Sequence, residues 1–277
     1  MAQHDHDLNG APAAAAAHAT SVRSPVRPAA VHSAATHSAA VRVAGLTRSF
    51  GPRRVLDGID LTIGGGEFTA LLGRSGSGKS TLLRAVAGLD HTTAGSGEVL
   101  VPRRVSLVFQ DSRLLPWLKV HDNVVLGLRA RNAKERGRAA LVEVGLAKRE
   151  SAWPRELSGG EQQRAALARS LVSEPELLLA DEPFGALDAL TRIRMHRLLR
   201  RLYETHRPAV LLVTHDVDEA VTLADRVLVL DDGAFTLDLR IDLPAERDPG
   251  DPRFQHFRTT LLGALGALPS HRAKDHT

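Results

Sequence analysis

The sequence predicts an α/β fold in which a helical segment is inserted between strands of the core. From Val41 onward, short apolar runs typical of strands alternate with stretches typical of helices. Two of these runs, Leu177–Ala180 and Val210–Val213, are almost continuously apolar, as expected for strands buried in a parallel sheet. About residues 111–156 contain no such run and are predicted to be helical. This order of elements indicates a layered α/β domain.

The individual elements follow from local patterns. Residues 55–63 alternate apolar and polar side chains, which predicts a half-buried strand. A short strand at 67–72 enters a glycine-rich loop, and a helix is predicted from Lys79 to Leu89. Residues 105–109 form the next predicted strand. Near the C-terminus, residues 226–230 and 234–241 flank Asp231-Asp232-Gly233 and predict a hairpin.

Composition narrows the class of protein. The 277 residues include no cysteine, which excludes a disulfide scaffold, a thiolate metal site and a cysteine nucleophile. Basic residues (36) barely outnumber acidic ones (32), and no nucleic-acid reader motif is present, so we interpret the basic surplus as solvated surface and expect no nucleic-acid partner. No run approaches the roughly 18 apolar residues of a membrane helix, so the chain is not expected to cross a bilayer by itself.

Residues 1–40 differ from the rest of the chain. They contain 14 alanines and five of the 13 histidines but few large apolar side chains. Such a segment buries too little surface to offset its conformational entropy, so it is predicted to be a disordered extension. It does not resemble a secretory signal, because its start is not basic and His18 interrupts the alanines. The histidines lack the spacing of a metal site.

The glycine-rich loop carries the strongest chemical motif. Residues 73–80 fit the pattern of a glycine, four residues and then Gly-Lys-Ser, placed between a strand and a helix. Its backbone N–H groups can cradle phosphates at the positive end of the helix, Lys79 can reach the β- and γ-phosphates, and the Ser80 hydroxyl is a ligand for Mg²⁺. The pattern predicts a nucleotide site. Its predicted binding residues are Gly73, Arg74, Ser75, Gly76, Ser77, Gly78, Lys79, Ser80 and Thr81.

Two acids end the apolar run 177–180. Asp181 is predicted to lie beside the phosphate loop (residues 73–80) and to help hold Mg²⁺, whereas Glu182 is predicted to polarise an attacking water. The alternative is that carboxylates occur at strand ends simply because the loops that follow are exposed to solvent. Downstream of a phosphate loop, the functional interpretation is favoured.

A second helix N-terminus that can bind an anion carries a resemblance to a known family. Residues 157–164 read Leu-Ser-Gly-Gly-Glu-Gln-Gln-Arg, in which Ser158 can cap a helix that begins near Glu161. A capped surface helix is the alternative. The segment nevertheless resembles the signature of ATP-binding cassette (ABC) transporter subunits, and further matches follow in the family's order. They are Gln110, Asp181-Glu182, Ala186-Leu187-Asp188 and His215.

The resemblance covers about residues 41–245 and implies a P-loop NTPase (RecA-like) core. An antiparallel β subdomain and an inserted helical signature subdomain, about 111–165, would complete it, followed by a helical tail at 246–277. It further implies a head-to-tail homodimer in which Ser158, Gly159 and Gly160 of one copy contact the ATP held by the other.

The resemblance also assigns roles within each site. Glu182 would act as general base, His215 would steady the γ-phosphate, and Gln110 would sense Mg²⁺ and water. Asp188 would link the two sites across the interface. Phe50 occupies the place of an aromatic that stacks on adenine, where tyrosine is more usual; a core aromatic of the first sheet is the alternative.

The apolar insert beginning at Asp111 indicates what the ATPase drives. Its Leu-Leu-Pro-Trp at 114–117 and Asp-Asn-Val at 122–124 are similar to the importer branch for sulfonates, taurine and nitrate, and 232–244 most resembles the aliphatic-sulfonate subunit. This implies a peripheral protein on the cytoplasmic face of the cell membrane, with two permease subunits and an extracytoplasmic solute-binding protein as partners. For Trp117, internal packing is the alternative. For the function, import of taurine or nitrate by the same kind of ATPase is one alternative, and a soluble ABC ATPase acting on nucleic acid or ribosomes is another.

Overall fold

A computed structural model describes residues 29–30, 39–244 and 246–267. Two sheets and seven α-helices in these residues confirm the predicted α/β fold. Among the described helices, none has the length and apolar character needed to span a membrane. The strands are β1 (Ala29–Ala30), β2 (Ala39–Phe50), β3 (Arg53–Gly64), β4 (Phe68–Leu72), β5 (Ala94–Val101), β6 (Val105–Phe109), β7 (Leu177–Asp181), β8 (Ala209–Val213), β9 (Arg226–Asp231) and β10 (Ala234–Arg240). The helices are α1 (Lys79–Val86), α2 (Val120–Val124), α3 (Ala133–Glu143), α4 (Gly159–Leu171), α5 (Ala189–His206), α6 (Val217–Leu223) and α7 (Pro252–Ala264).

The larger sheet has six strands in the order β10-β9-β4-β8-β7-β6. Five strands are parallel, and β10 closes the edge as the antiparallel partner of β9 in the predicted hairpin. In β4 every residue is buried, with Leu71 on one side and Phe68, Ala70 and Leu72 on the other. Because β4, β7 and β8 are parallel neighbours, the loops at their carboxyl ends meet at one edge of the sheet.

The smaller sheet has the order β1-β5-β2-β3, in which β2 pairs antiparallel with both β3 and β5. Its buried face packs with α1 against one side of the larger sheet, whereas α4, α5, α6 and α7 cover the other side. Within the extension predicted to be disordered, Ala29–Ala30 pair with Leu100–Val101, and Ala39 and Ala40 begin β2. The remainder of that prediction, residues 1–28 and 31–38, lies outside the described residues.

Two helical predictions differ from the structure in extent. Helix α1 ends at Val86 rather than Leu89, because Gly88 takes a left-handed conformation (φ 66°) and its N–H caps the Ala85 carbonyl. The segment 111–156 contains α2, α3 and two short 3₁₀ turns, with loop between them. Helix α7, within the predicted tail, is held by the buried side chains Phe254 and Leu261.

Candidate nucleotide site

The phosphate loop connects β4 to α1 and is shaped by glycines. Gly78 has a φ of 106°, which strains any other residue, and a Cβ at Gly73 would overlap the Leu230 carbonyl oxygen. Ser77 is buried, and its hydroxyl has no hydrogen-bond partner among the described residues. A buried hydroxyl without a partner in a glycine loop fits a site that receives a polar ligand.

Lys79 lies folded back into this loop. Its side chain is buried, and Nζ donates hydrogen bonds to the carbonyl oxygens of Gly73 (2.8 Å) and Arg74 (2.9 Å). Burial lowers the pKa of Lys79, while the nearby Glu182 and Asp181 act in the opposite direction. The ammonium group therefore lies at the base of the loop with carboxylates beside it, where a phosphate can accept hydrogen bonds from it.

Ser80 and Asp181 are brought together as predicted, although they are 101 positions apart. The Ser80 hydroxyl donates to Asp181 Oδ1 at 3.2 Å, and burial raises the pKa of Asp181. Hydroxyl and carboxylate oxygens are the ligands that Mg²⁺ prefers, and a cation here would offset the cost of burying the carboxylate. Gln110 follows β6 beside them, with Nε2 close to Gly185.

Glu182 and His215 form a pair at the ends of β7 and β8. Glu182 adopts a left-handed conformation (φ 46°), and its N–H donates to the Val213 carbonyl at 2.9 Å. This backbone turn directs its side chain toward His215, whose Nδ1 lies 3.0 Å from Glu182 Oε2. The imidazole is largely exposed. A carboxylate that can accept a proton and a histidine that can donate one are thus presented together beside the phosphate loop.

The signature segment, residues 158–162, forms the start of α4. Ser158 and Glu161 make a reciprocal cap: Glu161 N–H donates to Ser158 Oγ (3.3 Å) and Ser158 N–H donates to Glu161 Oε2 (2.9 Å). The helix consequently begins at Gly159, two residues before the predicted start. The Ser158 backbone hydrogen bond lowers the pKa of Glu161.

The structure of a single chain does not bring the signature segment to the phosphate loop. Helix α4 packs against α2, α3, α5 and β6, whereas α1 packs against the strands of the two sheets. A Cβ at Gly160 would press on the Thr191 methyl group, so glycine permits the close approach of α4 to α5. Ser158 and Gly159 at the start of α4 are exposed, and so is the 74–76 part of the phosphate loop, so each half of the predicted site is open to solvent.

The remaining predicted residues lie at element boundaries. Asp188 caps α5, with Oδ1 accepting the Thr191 N–H at 3.0 Å, and this backbone hydrogen bond lowers the pKa of Asp188. Phe50 ends β2 with 51% of its surface exposed. That exposure excludes the alternative of a core aromatic and leaves the ring free to stack on a base.

Sequence reasoning missed Gln163, which ties the site together. This buried side chain donates from Nε2 to the carbonyl oxygens of Phe109 (2.9 Å) and Pro183 (2.7 Å). Phe109 immediately precedes Gln110, and Pro183 immediately follows Glu182. The available signal was a glutamine among the mainly apolar residues on the inward face of α4.

A second missed residue, Asn123, organises the loop in front of α2. It is fully buried, accepts the Leu115 N–H at 2.7 Å and donates to the Leu115, Leu118 and Lys119 carbonyls. The loop is thereby held with Trp117 68% exposed at its tip. Internal packing of Trp117 is thus excluded.

Comparison with known proteins agrees with this geometry. The family model described as ABC transporter matches residues 56–185. An aliphatic sulfonates import ATP-binding protein, SsuB 2 from Streptomyces avermitilis, is 68% identical over 246 residues, covering 89% of this chain and 98% of the relative. The chain belongs to the ABC transporter family.

Further relatives support the same assignment. SsuB 2 from Nocardia farcinica is 71% identical over 226 residues, covering 82% of this chain and 94% of the relative. Among solved structures, the ATP-binding cassette MJ0796, described as a dimer bound to ADP and Pi, is 30% identical with a TM-score of 0.64. The match covers 74% of this chain and all of that one. The P-loop NTPase core with its signature subdomain is therefore the fold of an ABC ATPase, which binds ATP.

Proposed function

We propose that this chain is the ATP-hydrolysing subunit of a membrane importer for aliphatic sulfonates. The observation that carries the proposal is the separation of two complementary half-sites in one chain: a phosphate loop with Lys79 and an exposed, capped signature helix at Ser158. A second copy in head-to-tail orientation supplies the missing half to each site. The solved dimer of a related cassette supports this arrangement.

Within each site the residues divide the work. The loop N–H groups and Lys79 bind the β- and γ-phosphates, while Phe50 stacks on adenine. Ser80 and Asp181, with Gln110 beside them, would hold Mg²⁺, which would neutralise charge on the phosphates when bound. The partner's signature segment completes the anion site, and Asp188 lies near the interface that joins the two sites.

Hydrolysis depends on the pair at the strand ends. Glu182 accepts a proton from water, and His215 steadies the γ-phosphate by donating a hydrogen bond. These side chains bond to each other at 3.0 Å, so the proton acceptor and the hydrogen-bond donor meet at one point of the site. Closure by the second copy thus couples nucleotide binding to assembly of the catalytic groups. Loss of the γ-phosphate removes the contact that favoured closure.

The exposed loop held by Asn123 is proposed as the contact with the permease. Trp117 presents a large apolar surface, and the loop leads through Phe109, Gln110 and the Gln163 hydrogen bonds to the nucleotide site. Two permease subunits and an extracytoplasmic solute-binding protein would complete the importer, with this chain peripheral on the cytoplasmic face. Trp117→Ala should weaken capture of the permease by several-fold, whereas Val142→Ala, which trims an exposed side chain on α3, should not. Equal capture by both variants would contradict the role of this loop.

The sulfonate assignment follows the names of the relatives. Its test is uptake of labelled ethanesulfonate, taurine and nitrate by cells that lack this subunit. We expect ethanesulfonate uptake to return with the native chain and with Glu204→Gln, an exposed control on α5, but not with Glu182→Gln. Uptake of taurine or nitrate instead would reassign the solute, and ribosome or nucleic acid co-purifying without a permease would refute import.

A further inference from the structure

The helix that follows His215 carries a buried carboxyl group that the mechanism above does not use. Glu219 of α6 is only 5% exposed. Its Oε2 accepts a hydrogen bond from the hydroxyl of Thr214 at 2.7 Å, and Thr214 is itself buried. Thr214 immediately precedes His215 in the chain. The carboxyl group of Glu219 is therefore linked through Thr214 to His215, a catalytic residue in the proposed function.

The same hydroxyl also fixes the residue on the other side of His215. Thr214 Oγ1 accepts the Asp216 N–H at 3.0 Å, and Asp216 Oδ1 accepts the Glu219 N–H at 3.1 Å. These three hydrogen bonds form a closed chain around the His215 peptide. Because the residues on both sides of His215 are held, the direction of the exposed imidazole is constrained by buried atoms.

Glu219 also faces the loop that carries Glu182. Its Oε1 lies 4.0 Å from His196 Nε2 on α5, and neither atom has a hydrogen-bond partner among the described residues. The His196 ring packs edge-on against Phe184 at 5.0 Å between centroids, two residues after Glu182. The side chain of Glu219 thus lies between Thr214, which precedes His215, and His196, which packs against the loop that carries Glu182.

Burial makes the ionised form of Glu219 unfavourable, and the surrounding groups compensate for this cost only in part. It raises the pKa of Glu219 to about 7; the hydrogen bond from Thr214 and the charge of Arg192 oppose this shift, whereas Asp216 and Glu182 add to it. It lowers the pKa of His196 to about 4, so the two side chains do not form a strong ion pair. A carboxyl kept in an unfavourable position next to a catalytic centre points to a functional role.

We propose that Glu219, acting through Thr214, is a positioning residue that holds His215 in register with Glu182. The inference rests on the proposed function, in which those two side chains act on ATP and water. Misplacement of His215 would slow hydrolysis without weakening the phosphate contacts of the loop, since Glu219 and Thr214 do not line that loop.

The test uses single-turnover ATP hydrolysis and ATP affinity of the full chain with Mg²⁺. Thr214→Val keeps the shape of the side chain but removes the hydroxyl; we expect hydrolysis to slow by about 10- to 100-fold with ATP affinity unchanged. Thr214→Ser should restore the rate. Thr222→Val removes a hydroxyl from the exposed face of α6 and should have no effect. Equal rates for Thr214→Val and the native chain would overturn the inference.

A second comparison covers the case in which Thr214→Val does not fold. Glu219→Gln retains an oxygen that can accept the Thr214 hydroxyl, whereas Glu219→Leu does not, so only the leucine variant should be slow. In a His215→Ala background, Glu219→Leu should add no further loss, because its effect passes through the imidazole. An additive loss would contradict the positioning role. Full activity of His215→Ala would refute the proposed function, whereas loss in His215→Ala with none in Glu219→Leu would refute only this inference.

Discussion

Replacing Gln163 with leucine tests how α4 is tied to the two catalytic loops. The buried amide donates to the Phe109 and Pro183 carbonyls at 2.9 and 2.7 Å, and leucine is similar in size but donates to neither. Two lost hydrogen bonds, each from a buried donor, should lower the free energy of unfolding by about 2–4 kcal/mol. ATP affinity should remain, because Gln163 makes no contact with the phosphate loop.

Denaturant unfolding without nucleotide measures the first effect, and single-turnover hydrolysis measures the second. We expect hydrolysis to fall, since the hydrogen bonds of Gln163 place Gln110 and Glu182 relative to the signature helix. Gln255→Leu is the matched control, because the Gln255 side chain is exposed on α7 and donates to the Pro249 carbonyl at the protein surface. A loss of stability below about 0.5 kcal/mol, no greater than a surface substitution produces, would refute the reasoning.

Two further predictions concern single charges. Lys79→Ala removes the ammonium group at the base of the phosphate loop, so the ATP dissociation constant measured by calorimetry should rise about 10- to 150-fold. Lys148→Ala should leave it unchanged, and an unaltered constant for Lys79→Ala would contradict its role. Glu219 has a folded-state pKa of about 7, above its ordinary value of 4.5, so its contribution to stability is complete below pH 4.5 and is lost as the pH rises through 7. The unfolding free energy of the native chain relative to Glu219→Gln should therefore fall by about 2–3 kcal/mol over that range. A difference that does not change with pH would contradict the raised pKa of Glu219.

The sheet strands could be predicted where the sequence shows an uninterrupted apolar run. Strands β7 and β8 are buried along almost their whole length, and this burial is directly visible as a run of apolar residues. Strand β5 escaped prediction because it contains Gly95 and Gly97, which lower strand propensity. The structure explains both glycines: a Cβ at either position would overlap the backbone of β2. Close packing between strands that are distant in sequence selected these residues, and no local pattern reports it.

The same distinction applies to the site. The phosphate loop and the signature segment are continuous in sequence, since each is proposed to bind phosphate through backbone N–H groups at one helix start. Gln163 and Glu219 act through partners on other elements, such as the Phe109 carbonyl 54 positions away. A buried glutamine or glutamate can be noticed in a sequence, but its partner is known only when the elements are packed. The pairing of Glu182 with His215 likewise required the adjacency of β7 and β8.

The central claim is that ATP completes its site between two copies of this chain, and dimerisation of Glu182→Gln measures it most directly. In sedimentation experiments with ATP and Mg²⁺, this variant should bind nucleotide, fail to hydrolyse it and accumulate as a dimer. At ATP concentrations below its raised dissociation constant, the double variant Glu182→Gln with Lys79→Ala should remain monomeric, because its phosphate loop is then largely without nucleotide. A Glu182→Gln chain that binds ATP yet stays monomeric, or that hydrolyses ATP at the native rate, would contradict the account.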